Sequence, residues 1–314
     1  YNIVLTLFDK ATLQPVTLRD AAGAAVGPTA IIGGITVANP TAPPNFAPQY
    51  PLAAAVAPGL NLLGYNQDRA TAVPGEQVLL TLFWQCDEPA ACGRFTVRLE
   101  DDGGQTAQAW QLPVVRDGFT AGDWPAHGRL RGQYLLQLPA ALATGAYRFV
   151  LGDAVALEPI QVTAPERQFA PPLLSLELNA PFATAAGQLI ATLVGLAAPS
   201  PDGQGSLLPC APAPLLPCPI PLVWRAEAET PADYRVFVHL VDAAGAIIAQ
   251  SDAAPAGWTP PTTGWLPEYV RDTHTLTLPA ALPDGPLSLR VGLYDPDTGQ
   301  RLLSGAADYA PIGP

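Results

Sequence analysis

The chain has 314 residues, 49% of them hydrophobic and only 13% charged, with a formal net charge of −12. That supplies apolar material for two or three cored domains, while a single lysine, Lys10, among 15 basic residues leaves no basic stripe to follow a phosphate backbone and excludes nucleic acid as a partner. The apolar stretches are broken by Gly, Pro or polar residues short of the ~20 needed to cross a bilayer, and the acidity repels anionic lipid, so no membrane insertion is expected of this segment.

In chain order, residues 1–39 are expected to hold the C-terminal strands of a partial unit, which Ile35-Thr36-Val37 closes. The segment ANPTAPPNFAPQYP at 38–51 has the composition of a semi-rigid linker. Leu52-Ala53-Ala54-Ala55-Val56 reads as one helical turn. Alternation of apolar and polar residues then predicts strands at Val78–Trp84, Phe95–Leu99, Tyr134–Leu138 and Tyr147–Leu151, closing at Ile160-Gln161-Val162. A second proline-rich linker, VTAPERQFAPP at 162–172, leads to strands at Val236–Leu240, Thr273–Leu278 and Leu287–Val291, with Ile312 near the end. Turn signals such as Pro74-Gly75, Asp102-Gly103-Gly104, Thr144-Gly145 and Asp284-Gly285 separate these runs, and no window of a dozen residues keeps a 3.6-residue apolar period. The expectation is an all-β chain of tandem antiparallel immunoglobulin-like β-sandwich domains at 1–39, 45–164 and 171–314.

The tandem arrangement rests on repetition. Trp84 recurs as Trp224, Arg131 as Arg271, Leu138-Pro139-Ala140-Ala141-Leu142 as Leu278-Pro279-Ala280-Ala281-Leu282, and Gly145 as Gly285, each pair 140 positions apart. Leu5-Thr6-Leu7-Phe8-Asp9 with Thr12 and Gln14 matches Val291-Gly292-Leu293-Tyr294-Asp295 with Thr298 and Gln300, which places Tyr1 in the middle of a repeat. A partial copy of this kind leaves sheet edges and apolar faces open unless a neighbour or upstream sequence covers them.

Four cysteines fall as two local pairs, Cys86 with Cys92 and Cys210 with Cys218. Local disulfides are the simplest of the three connectivities and favour an oxidising, extracytoplasmic compartment. Free thiols and a metal site are the rival readings; His127, His239 and His274 lack ligand spacing to these cysteines. No cofactor is implied, and no histidine sits in a nucleophile context such as GxSxG. The carboxylate pairs Asp87-Glu88, Asp101-Asp102 and Asp295 with Asp297 fall at expected turns, and DPDTG at 295–299 and SPDGQG at 200–205 lack the spacing of a calcium loop. Loop aromatics offer the one binding surface. Trp258, Trp265, Glu268 and Arg271 could form a stacking platform for glycans. The competing reading is packing, in which Trp124 with Arg131 and Trp265 with Arg271 pin a long crossover onto each sandwich.

The runs LVWRAEAETPADYRVFVHLVDAAGAIIAQSD and PTTGWLPEYVRDTHTLTLPAALPDGPLSLRVGLYDPDTGQRL, with LLGYNQ, VPGEQVLLTLFWQ and LPAALATGAYRFVLGD in the first copy, carry a family resemblance. The chain resembles the β-sandwich repeats found C-terminal to multi-pass membrane glycosyltransferases of the protein-mannosyltransferase-like class in filamentous green non-sulfur bacteria, and in large secreted proteins from them. The resemblance implies a non-catalytic, extracytoplasmic array serving as spacer, assembly or surface-contact module, with partners among other domains of the same polypeptide or cell-envelope proteins. The alternatives are a carbohydrate-binding module and a structural subunit of a surface layer or filament.

Overall fold

The computed structural model describes residues 1–9, 14–36, 41–198, 217–258 and 260–313. The opening segment holds β1 (Asn2–Thr6), β2 (Leu18–Arg19), β3 (Ala25–Gly27) and β4 (Thr29–Gly34). β1 pairs antiparallel with β4 and β2 with β3. The closing strand is thus 29–34 rather than Ile35-Thr36-Val37; Ile35 only extends the ladder by exchanging hydrogen bonds with Tyr1, and Val37 lies outside the described residues.

The next ten strands build one sandwich: β5 (Tyr50–Ala57), β6 (Leu60–Gln67), β7 (Thr71–Ala72), β8 (Gln77–Cys86), β9 (Arg94–Asp101), β10 (Thr106–Pro113), β11 (Arg129–Gln137), β12 (Gly145–Leu151), β13 (Val155–Ala156) and β14 (Ile160–Val162). One sheet runs β11-β8-β6-β5 and the other β10-β9-β12-β14-β7. Pairing is antiparallel except where β7 joins β14 in parallel. The second sandwich repeats the plan with β15 (Leu174–Ala183), β16 (Leu189–Ala197), β17 (Pro217–Ala226), β18 (Arg235–Val241), β19 (Ile247–Ala253), β20 (Tyr269–Thr277), β21 (Ser288–Tyr294) and β22 (Ala310–Ile312). Its sheets run β15-β16-β17-β20 and β19-β18-β21-β22. In both, the chain changes sheet before and after the central hairpin, which is the immunoglobulin-like arrangement.

Each sandwich has its own core. Trp84, Phe149, Leu82 and Leu99 lie in the first, and Trp224, Phe182, Val238 and Leu293 in the second, all fully enclosed. Burial removes roughly 25 cal/mol of unfavourable hydration per Å² of apolar surface, so these inward-facing alternate positions dominate the stability of each unit.

One local expectation is corrected. Leu52-Ala53-Ala54-Ala55-Val56 is not a helical turn but the middle of β5, because β6 offers it a ladder that one isolated turn could not match. β17, which carries Pro219 and Pro221, is a central strand. Its ladder with β16 begins at Leu222, however, while 217–221 pair only with β20. Pro217, Pro219 and Pro221 alternate, so their missing N–H groups all face the side on which β16 is absent.

Candidate functional site at the joint between the sandwiches

The segment between β14 and β15 carries Arg167, whose guanidinium ties the two sandwiches together. Nη2 donates to the Ala140 carbonyl of the first sandwich at 2.6 Å, and Nη1 donates to the Gly264 carbonyl of the second at 2.9 Å. Nη1 also donates to Glu268 Oε1, which accepts the Leu266 N–H as well. Both charges are largely enclosed, with side-chain exposures of 13% for Arg167 and 4% for Glu268. A buried ion pair that is fully hydrogen-bonded fixes geometry more than it adds net stability.

Around it the backbones meet directly. The Pro74-Gly75 turn abuts the 3₁₀ turn Thr262–Gly264, and a Cβ on either Gly75 or Gly264 would run into the backbone of the other turn. Thr263 Oγ1 donates to the Gly75 carbonyl at 2.7 Å, and Gln137 Nε2 donates to the same oxygen. Gln168 continues the joint as a one-residue bridge beside β20, where Tyr269 N–H donates to its carbonyl at 2.7 Å. A cleft of about 490 Å³ opens alongside, lined by Arg69, Glu76 and Gln137 from one sandwich and Asp233, Thr263 and Asp297 from the other. Burial pushes the Asp233 carboxyl above the usual carboxylate range; the Thr262 N–H and Arg235 oppose the rise, and the Asp297 charge adds to it.

Of the two readings of these loop residues, the glycan platform is taken apart by this arrangement. Trp265 is 0% exposed and its indole N–H has no hydrogen-bond partner among the described residues, so no sugar face can reach the ring. Glu268 belongs to the joint. Arg271 points outward and touches Gln168 Oε1 at 3.4 Å, and the side chain of Trp258 lies outside the described residues. Trp124 is buried edge-on against Phe119, while Arg131 is exposed. The expected Trp/Arg pins are therefore absent: strict alternation along β11 and β20 turns Arg131 and Arg271 away from the face on which the tryptophans pack. The cation–π contacts found among the described residues are Arg290 with Tyr309 and Arg301 with Phe237.

A polar network in the second sandwich escaped the sequence reading. Asp272 Oδ2 accepts the Trp224 indole N–H at 3.1 Å and lies 3.1 Å from His274 Nε2, Asp272 Oδ1 accepts the Ala256 N–H, and His274 Nδ1 lies 3.1 Å from Ser251 Oγ. Ser, His and Asp in series is the order of a hydrolase relay, but His274 and Asp272 are 2% and 1% exposed and closed to substrate. The network instead joins β19 to β20 where the edges of the two sheets meet. The signal was available: the alternation through Val270, Leu276 and Leu278 puts Asp272 and His274 on the inward face.

Cys86 and Cys92 form a disulfide that closes the β8–β9 connection. Cys218 is disulfide-bonded as well, and Cys210 lies outside the described residues, as does SPDGQG at 200–205. DPDTG is a turn in which Asp295 accepts from Asp297 N–H and Thr298 Oγ1. Among the described residues no group of three or more His, Cys, Asp or Glu side chains is placed to hold a metal ion, and no helix is long and apolar enough to cross a membrane.

The chain matches no protein-family profile and no curated protein. Among solved structures it is similar to trypsin-activated alpha-2-macroglobulin from Escherichia coli, at 14% identity and a TM-score of 0.22, over 80% of this chain and 15% of that one. It thus spans a small part of the macroglobulin's length. It is also similar to the collagen adhesin of S. aureus, at 7% identity and a TM-score of 0.25, over 80% of this chain and 92% of that one.

Proposed function

We propose that this chain is a stiff, non-catalytic spacer of immunoglobulin-like sandwiches within a larger extracytoplasmic cell-envelope protein. The observation that carries this reading is the Arg167 joint. Sandwiches joined by a proline-rich linker alone would reorient freely, whereas a guanidinium enclosed between Ala140, Gly264 and Glu268 fixes their relative angle. Transmitting orientation over distance is what a spacer must do. Disulfides support an oxidising setting. The resemblance to repeats beside membrane glycosyltransferases supplies the specific version: the array projects from the bilayer and holds acceptor or glycan near an active site elsewhere in the polypeptide.

Spin labels at Gln108→Cys in the first sandwich and Ala243→Cys in the second test this by pulsed dipolar spectroscopy. The labelled parent is expected to give one narrow distance distribution that Arg167→Ala broadens. A parent distribution already as broad as that of the variant would rule out a stiff spacer.

A further inference from the structure

At Val4 and Leu5 the β1–β4 ribbon shares the register of Arg290 and Val291 in the β21–β22 pair, but not its burial. Leu5 stands opposite Ala30 as Val291 stands opposite Ala310, and the isolated bridges Phe8–Pro15 and Tyr294–Arg301 are 286 positions apart at both ends. In the second sandwich the inward residues Leu289, Val291 and Leu293 are 3%, 0% and 0% exposed; their counterparts Ile3, Leu5 and Leu7 are 43%, 41% and 48% exposed. β21 has a strand on each side, β18 and β22, and β12 has β9 and β14, whereas among the described residues β1 has β4 alone. A face of this kind, apolar and uncovered beside an open ladder edge, is one that folded proteins cover.

We propose that the bare face of the ribbon and the free edge of β1 dock a strand set like β15–β20, lying N-terminal to Tyr1 in the same polypeptide, and so complete a third sandwich. The strand against β1 runs antiparallel to it with apolar residues at every second position, as Val236-Phe237-Val238-His239-Leu240 does against β21 and Val97-Arg98-Leu99 does against β12.

Chain order argues for this occupant. β11 leads into β12 across seven residues and β20 into β21 across ten, so in both complete sandwiches the covering strands come just before the strand they cover. The ribbon in turn precedes a proline-rich segment and β5, just as β14 precedes a proline-rich segment and β15. A second copy is the poorer occupant. Its own β9 and β18 are central strands, and releasing one would open a complete core.

The test is hydrogen exchange at the β1 amides in this chain and in the full polypeptide that its reading frame encodes. In the longer protein the amides of Asn2–Thr6 that face the free edge are expected to slow by roughly 100-fold or more, as for a ladder interior. Leu5→Asp in the longer protein should return them to fast exchange while β8 and β17 keep their protection, which separates loss of docking from general misfolding. Equal exchange in the two proteins overturns the proposal. So does protection that appears in this chain alone as its concentration rises, because the occupant would then be a second copy. As a second construction, residues 50–146 of this chain joined ahead of Tyr1, which aligns with Tyr147, should protect β1 to a measurable degree if the face accepts strands of this type.

Discussion

The indole N–H of a buried tryptophan needs an acceptor, and the two sandwiches supply different ones. In the first, Trp84 Nε1 donates to the Tyr134 hydroxyl at 3.1 Å, and that hydroxyl donates to the Val114 carbonyl. Burial raises the Tyr134 pKa, so the phenol stays a neutral donor. Gly132 is required beside it, since a Cβ there would strike both the hydroxyl and the Val114 carbonyl. At the matching positions of the second sandwich stand Asp272 and His274, so Gly132/Tyr134 and Asp272/His274 are two self-consistent pairs rather than four independent residues. Tyr134→Phe is expected to cost about 1–3 kcal/mol, the price of an unsatisfied buried hydrogen bond. Asp272→Ala should cost more, about 3–5 kcal/mol, because it strips partners from Trp224, Ala256 and His274 together. Urea unfolding measures both; a Tyr134→Phe loss equal to or greater than that of Asp272→Ala would contradict this ranking.

His239 carries a pH dependence of definite sign. Burial lowers its pKa below the ordinary 6.5; Asp252, 4.0 Å away, opposes the shift, and Arg301 and Arg290 reinforce it. The unfolded chain therefore binds more protons than the folded one between the ordinary value and the lowered one. The stabilising contribution is complete above 6.5 and is lost as pH falls through the folded pKa. His239→Gln should flatten the fall in urea midpoint between about pH 7.5 and about pH 5. An unchanged slope would assign the acid sensitivity to other groups.

Among the strand elements, the first hairpin of each sandwich bends at a glycine. β6 shifts register against β8 between Leu62 and Gly64, and β16 shifts against β17 between Leu193 and Gly195. Both glycines hold positive φ, 149° and 155°. A Cβ on Gly64 would meet Pro48 and the Tyr50 carbonyl, and one on Gly195 the Leu176 carbonyl, so each lets an outer strand lie close across a bulge. Gly195→Ala is expected to cost at least about 1–3 kcal/mol and to speed amide exchange in β15 before β17. Uniform exchange across that sheet would mean that the bulge does not set the seat of β15. Strands such as β9 and β11 were legible because period-two alternation is a local property of the sequence. β5 was not, since Leu52-Ala53-Ala54-Ala55-Val56 has no contrast between its faces and became a strand only through Leu60–Gln67. Arg167 was invisible for a related reason: Ala140 and Glu268 lie 27 and 101 positions away, and one arginine in a proline-rich linker has no pattern to announce it. For Trp265 the sequence left packing and glycan stacking both open, because a loop position in the sequence says nothing of the second sandwich folding over it.

At the scale of the whole molecule, the question is whether two sandwiches with separate cores unfold separately. A linker alone would let them, and calorimetry would then show two independent transitions. The joint makes the opening of either sandwich expose Arg167 and break the contact of Gly75 with Thr263, so each unit's folded state stabilises the other's. The parent is expected to melt in one cooperative transition and Arg167→Ala in two. Part of the loss in that variant comes from leaving the Glu268 carboxylate enclosed without its cation, a penalty of about 3–5 kcal/mol. Arg167→Ala with Glu268→Gln separates the two effects: removing the orphaned charge should restore much of the stability of the second sandwich, while the transitions stay split because nothing bridges to Ala140. If the double variant melts again as one unit, the coupling resides in the Gly75 and Gly264 backbones meeting each other, and the guanidinium only fills the space beside them.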